Sequence, residues 1–114
     1  MLEKNTSMAL VDTNDEGLRI YVHSKPKVFA IFTTTGCQVC KVLEPIFSKL
    51  VGDKLSIGIQ FVRLDSGENP VAKRLMAEQE APFFVSYSQG RMLECGTCVN
   101  EKEMLEHLTR LRGK

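Results

Sequence analysis

The most apolar stretch of the chain is residues 27–33, where Val28, Phe29, Ala30, Ile31 and Phe32 follow one another without a polar break. Apolar residues on consecutive rather than alternate positions predict a strand buried on both faces. Directly downstream the period changes. Val42, Leu43, Ile46, Phe47, Leu50 and Val51 recur at three- and four-residue spacing, which predicts an amphipathic helix over 38–51. Pro45 falls inside it, removes one backbone donor and is expected to kink the axis. Gly52 and Asp53 end it.

The other elements follow from the same patterns. Residues 8–11 predict a short strand, and Asp12, Thr13, Asn14 and Asp15 offer N-caps for a helix carrying Leu18, Tyr21 and Val22. Gly17 weakens that helix, and Lys25 before Pro26 ends it. Ile57, Ile59, Phe61, Val62 and Leu64 predict a strand. After a turn, Asn69 as N-cap and Pro70 at the first helical position open a short helix with Val71, Leu75 and Met76. Residues 83–87 predict a strand, Ser88-Gln89-Gly90-Arg91 a hairpin turn, and 92–95 its antiparallel partner. Asn100-x-x-Glu103 has capping-box spacing and opens a last helix with Met104, Leu105, Leu108 and Leu111 inward and a basic final turn. The order β-α-β-α-β-α-β-β-α predicts an α/β fold. Parallel βαβ units and a C-terminal antiparallel hairpin would form one mixed sheet with helices on both faces.

Two cysteines sit where the buried strand becomes the helix. Cys37 is expected just before the helix and Cys40 in its first turn, beside unpaired N–H groups and the positive end of the helix dipole. That field and those donors stabilise a thiolate and lower its pKa, and Lys41 adds positive charge. Cys37 is expected to be the more exposed and acidic sulfur, Cys40 its buried partner.

Composition narrows the classes. The 114 residues fit one domain over 1–114, and 43% hydrophobic with 25% charged residues is an ordinary soluble composition. A net charge of +1 without basic or acidic blocks argues against nucleic acid and anionic membranes as partners. The apolar runs are too short to span a bilayer, and residues 1–7 lack a signal-peptide core. A cytoplasmic location is therefore expected, where paired cysteines are usually catalytic or metal-binding. His23 and His107 are expected at helix surfaces or boundaries. Ser86 and Ser88 have no His/Asp constellation around them, and Gly67 and Gly90 form no phosphate-cradling pattern.

With Cys37-Gln38-Val39-Cys40-Lys41 between strand and helix, Pro45 five residues past the second cysteine, Ala81-Pro82 before the hairpin and Gly96 after it, nearly the whole chain resembles thioredoxin. The resemblance implies the thioredoxin fold and a protein-disulfide reductase with Cys37 and Cys40 as catalytic residues. It implies a substrate groove bordered by Gly36, Gln38, Val39, Ala81, Pro82 and Gly96, with Pro82 cis and facing the cysteines. It implies no cofactor, a disulfide-containing substrate protein, a thioredoxin-reductase-like electron donor and a monomer. Three residues depart from the pattern. Gly36 stands where thioredoxin has Trp, Ile31 where it keeps a buried aspartate, and Gln38-Val39 where it has Gly-Pro. Without the aspartate, activation of Cys40 falls to Lys41, Glu44, water or the leaving group. Glu44 otherwise reads as a solvated helix-face carboxylate. Arg63 and Asp65, near the site by analogy, would set its field or be ordinary loop charges.

Cys95-Gly96-Thr97-Cys98 is a second Cys-x-x-Cys. Three readings remain open: two cysteines without function, an accessory dithiol, or a zinc site formed by Cys37, Cys40, Cys95 and Cys98. The 54 residues between Cys40 and Cys95 exceed the usual gap of about 15–20 between zinc-binding pairs. The class competing with the enzyme is a redox-poor binding module on the same fold.

Overall fold

The computed structural model describes residues 10–52, 57–65, 67, 69, 70, 73, 74, 82–97 and 100–113. Its elements are β1 (Val11–Asp12), α1 (Asp15–Ser24), β2 (Lys27–Thr33), α2 (Gln38–Val51), β3 (Gln60–Asp65), β4 (Phe83–Ser88), β5 (Arg91–Thr97) and α3 (Glu101–Arg112). The strands form one sheet in the order β1-β3-β2-β4-β5. β1, β3 and β2 run parallel, while β2–β4 and β4–β5 are antiparallel. The predicted mixed α/β sheet is present.

β2 lies at its centre, and Val28 to Phe32 are buried without exception. One face of β2 carries Phe29 and Ile31. They pack with Phe61 and Phe84 against Leu43, Phe47 and Leu50 of α2 and Met104, Leu108 and Leu111 of α3. The Phe29 ring lies 5.5 Å from Phe84 and 5.7 Å from Phe61. The other face carries Val28, Ala30 and Phe32, packed with Val62, Leu64, Phe83 and Val85 against Leu18 and Val22 of α1. The unbroken apolar run is explained: alternation would have left one of these layers without its core.

The caps follow the sequence. Asn14 Oδ1 accepts the Gly17 N–H at 2.8 Å, and Asn100 Oδ1 accepts the Glu103 N–H at 2.9 Å. Gly17 does not break α1. A Cβ there would stand 1.8 Å from Thr13 Oγ1, so glycine is what lets the entry turn fold onto the helix. At the hairpin, Gln89 (φ 56°) and Gly90 (φ 82°) both take left-handed conformations, as a two-residue hairpin loop requires.

Some boundaries differ from expectation. Ile57 is not part of the third strand: it is exposed in a turn made possible by Gly58 at φ 88°, and β3 starts at Gln60. β5 runs to Thr97, so Cys95 lies inside a strand instead of at its end. The first two residues of the predicted 8–11 strand lie outside the described residues, as do Val71, Leu75 and Met76. Pro70, Lys73 and Arg74 are helical, and the Lys73 N–H bonds the Asn69 carbonyl at 2.9 Å.

Ser86 stands opposite Phe29 in the sheet, fully buried, and its Oγ has no hydrogen-bond partner among the described residues. Burying an unpaired hydroxyl costs about 1–3 kcal/mol. Ser86→Ala is therefore expected to raise the unfolding free energy by about 1 kcal/mol in urea titration. A loss of stability would show that the hydroxyl has a partner.

Candidate functional site

The three parallel strands end at the same edge of the sheet, and the chain leaves β2 there to make the turn into α2. Residues 34–37 form that turn, with the Cys37 N–H bonded to the Thr34 carbonyl at 3.3 Å. Gly36 sits at φ 81° with open space around it. A side chain would be strained in that left-handed conformation, which glycine adopts without cost.

Cys37 is the N-cap of α2 and Cys40 lies in its first turn, with Cα atoms 5.3 Å apart and the sulfurs joined in a disulfide. Cys37 Sγ accepts the Cys40 N–H at 3.1 Å, the bond a capping oxygen usually makes. The first turn of α2 holds no acidic residue to compete for that field. Both cysteines are half-buried, so the expected contrast of an exposed Cys37 and a buried Cys40 is not seen in the disulfide state.

Beside the disulfide opens a groove of about 360 Å³, lined by residues 33–36, Cys37, Cys40, Lys41, Glu44, Phe47 and Arg63. Its charges come from three elements. Arg63 on β3 donates to Asp12 on β1 through Nε at 2.6 Å and Nη2 at 3.0 Å, and to Glu44 on α2 through Nη1 at 3.4 Å. The parallel register makes this possible, since Asp12 is directly beside Arg63 and Arg63 directly beside Ile31. The hydrogen bond from Arg63 holds the Asp12 carboxyl below its usual range, against a smaller opposing effect of burial. The same bond raises Arg63. Asp12 is thus not the cap of α1, and Arg63 is a groove residue instead of a loose loop charge.

The remaining predicted positions divide. Gln38 and Val39 are exposed beside the disulfide. Pro82 is buried at the start of β4, where Phe83 pairs with Phe32 of β2, and Gly96 pairs with Phe84. Register therefore brings Pro82 and Gly96 to the end of the sheet that carries Cys37. Ala81 and Cys98 lie outside the described residues. Cys95 is a free, exposed thiol opposite Val85. The neighbouring Tyr87 hydroxyl is pushed up to about 12, first by burial and then by Cys95. Among the described residues, no group of three or more His, Cys, Asp or Glu is placed to hold a metal ion, and no helix is long and apolar enough to cross a membrane.

A second polar cluster escaped the sequence reading. His107 packs against Phe84 with ring centroids 3.9 Å apart and planes tilted by 39°, and its Nδ1 lies 3.1 Å from Glu94 Oε1. Arg110 binds both Glu94 oxygens at 2.8 and 2.9 Å. The Arg110 hydrogen bond, joined by His107 and opposed by burial, holds the Glu94 carboxyl below its usual range. Only the three-residue spacing of His107 and Arg110 hinted that both share a helix face.

No protein-family model matches the chain, and no curated protein matches it in sequence. Solved structures do match: the chain has the thioredoxin fold, with a Cys-x-x-Cys disulfide at the N-terminus of α2. Chloroplast thioredoxin f from spinach, short form, aligns at TM-score 0.84 and 18% identity, over 96% of this chain and 99% of that one. Mitochondrial thioredoxin 3 from Saccharomyces cerevisiae, oxidised form, aligns at TM-score 0.79 and 22% identity, over 94% and 100%. Malassezia sympodialis thioredoxin aligns at TM-score 0.79 and 18% identity, over 91% and 90%.

Because Asp12 is lowered in the folded chain, its contribution to stability is complete above its unfolded value, about 3.9, and is lost as pH falls through the folded value. The stability difference between wild type and Asp12→Asn is expected to be constant near neutrality, to begin shrinking as pH falls toward about 4, and to vanish only below the lowered folded value. Urea titration across pH checks this, and a difference that persists in acid contradicts it.

Proposed function

We propose that the protein is a thiol–disulfide oxidoreductase that reduces, or exchanges, disulfides in partner proteins. One observation carries the reading: a disulfide closed across the first turn of α2, with the Cys37 sulfur in the N-cap position and bonded to the Cys40 N–H. In the reduced protein the same donor and the helix dipole would favour Cys37 as a thiolate, the reactive form in disulfide exchange.

The chemistry follows from that placement. Cys37 thiolate attacks one sulfur of a partner disulfide, forming a mixed disulfide and releasing the partner's other sulfur as thiolate. Cys40 then attacks Cys37 Sγ, the Cys37–partner bond breaks, and the reduced partner leaves with the protein in its Cys37–Cys40 disulfide form. Two electrons and two protons pass to the partner. A thioredoxin-reductase-like donor or small thiols would return them. The partner would lie across Gly36, Gln38 and Val39 on one side and Ala81, Pro82 and Gly96 on the other, and the reaction calls for no bound cofactor. The absence of histidine between the cysteines favours a reductant over a strong oxidant, which suits a reducing compartment such as the cytosol. The solved thioredoxins of the same fold support the class of chemistry.

Insulin reduction with dithiothreitol as electron source tests the assignment. Cys37→Ser is expected to abolish turnover, and Cys40→Ser to accumulate a mixed disulfide visible on non-reducing gels. Equal turnover by wild type and Cys37→Ser contradicts the reading.

A further inference from the structure

The N-terminus of α2 serves one sulfur and not the other. Cys37 Sγ takes the Cys40 N–H, whereas no described residue donates a hydrogen bond to Cys40 Sγ. Cys40 still has to lose a proton before it can resolve a mixed disulfide. The sheet residues packed against α2, Phe29, Ile31 and Phe61, are apolar and buried and offer Cys40 no acceptor. Lys41 brings charge to the groove but no acceptor in its ammonium form.

Glu44 is placed for the task. It lies four residues beyond Cys40, a spacing that puts both on one helix face. It lines the same groove as both cysteines, and is the only carboxylate among the described residues that does. It is also tethered. Its Oε2 is 3.4 Å from Arg63 Nη1, and Arg63, with a side chain only 25% exposed, is fixed in turn by two hydrogen bonds to Asp12. An exposed ion pair of this length adds little stability. Its effect is one of placement: the carboxylate, on a side chain 64% exposed, stands beside the groove on the Arg63 side.

Resting on the oxidoreductase reading above, we propose that Glu44, oriented by Arg63 and Asp12, is the proton acceptor for Cys40 in the resolving step. As the Cys40 Sγ–H proton passes to the Glu44 carboxylate, Cys40 Sγ bonds Cys37 Sγ and the Cys37–partner S–S bond breaks. The electron pair leaves on the partner's sulfur, which becomes a thiolate and later takes a proton from Glu44. In the reverse direction Glu44 protonates the departing Cys40. Arg63 is a positioning residue that acts through Glu44. The charged groups facing the carboxylate are Arg63 of β3, beyond it Asp12 of β1, and Lys41 of its own helix.

Reduced protein mixed with dithiobis(nitrobenzoate) separates the two steps, in a background of Cys95→Ser and Cys98→Ser so that only Cys37 and Cys40 report. The first nitrothiobenzoate release reads attack by Cys37, and the second reads resolution by Cys40. In Glu44→Gln the ratio of second to first rate is expected to fall at least about tenfold, the low end of general-base effects being near a hundredfold for well-placed groups. Glu44→Asp is expected to restore part of the ratio, and added formate to raise it in Glu44→Ala. An unchanged ratio in Glu44→Gln, or equal slowing of both phases, overturns the assignment. Failure of the parent protein to show either release overturns the oxidoreductase reading, and this inference with it.

Discussion

Strand β2 must be buried on both faces at once, and the rest of the molecule depends on how that is met. Its five consecutive apolar residues, Val28 to Phe32, can be dehydrated only if helices cover both sides of the sheet. α2 and α3 cover Phe29 and Ile31, while α1 covers Val28, Ala30 and Phe32. With β3 on one flank and β4 on the other, the strand has no freedom to shift register. Its C-terminal end is therefore a fixed platform. The left-handed turn at Gly36 converts that platform into a helix start whose N-cap is a cysteine. Redox chemistry needs a thiolate held by fixed donors, and a helix N-terminus mounted on an immovable strand supplies them.

Charge is kept out of this core and arranged around it. Ile31 extends the apolar layer up to the groove, and Arg63, beside it in the sheet, turns to Asp12 and Glu44 for its partners. The electrostatics of the site thus lie at the groove's rim and draw on β1, β3 and α2. This division keeps the desolvation cost of the charges small, since each retains contact with water.

What could be read from the sequence was what rests on local periodicity and local chemistry. β2, α2 and the asparagine cap at 100 carry their cause within a few residues and are found where the pattern puts them, while the structure selects Asn14 from four candidate caps of α1. The disulfide was legible because both cysteines belong to one turn. What was not legible depends on distant residues. Ile57 looks like the start of a strand until Gly58 turns the chain away. Gly17 looks like a weak point until Thr13 is seen in the space its side chain would fill. The Asp12–Arg63–Glu44 chain arises from a two-residue parallel pairing of β1 with β3, and no spacing along the sequence announces it. His107 looks like a boundary residue along the helix, and only the fold shows its ring on Phe84 and its nitrogen at Glu94.

The central claim is that the Cys37–Cys40 bond is a working redox couple and not a structural staple. Equilibrating the protein in graded redox buffers, alkylating the free thiols and reading each cysteine by peptide mass spectrometry tests this directly. The account predicts that Cys37 and Cys40 titrate together as one two-electron couple, with a midpoint between about −270 and −120 mV, the span of dedicated disulfide-exchange proteins. Two cysteines that never pair, or a bond that persists below about −300 mV as structural disulfides do, would contradict it.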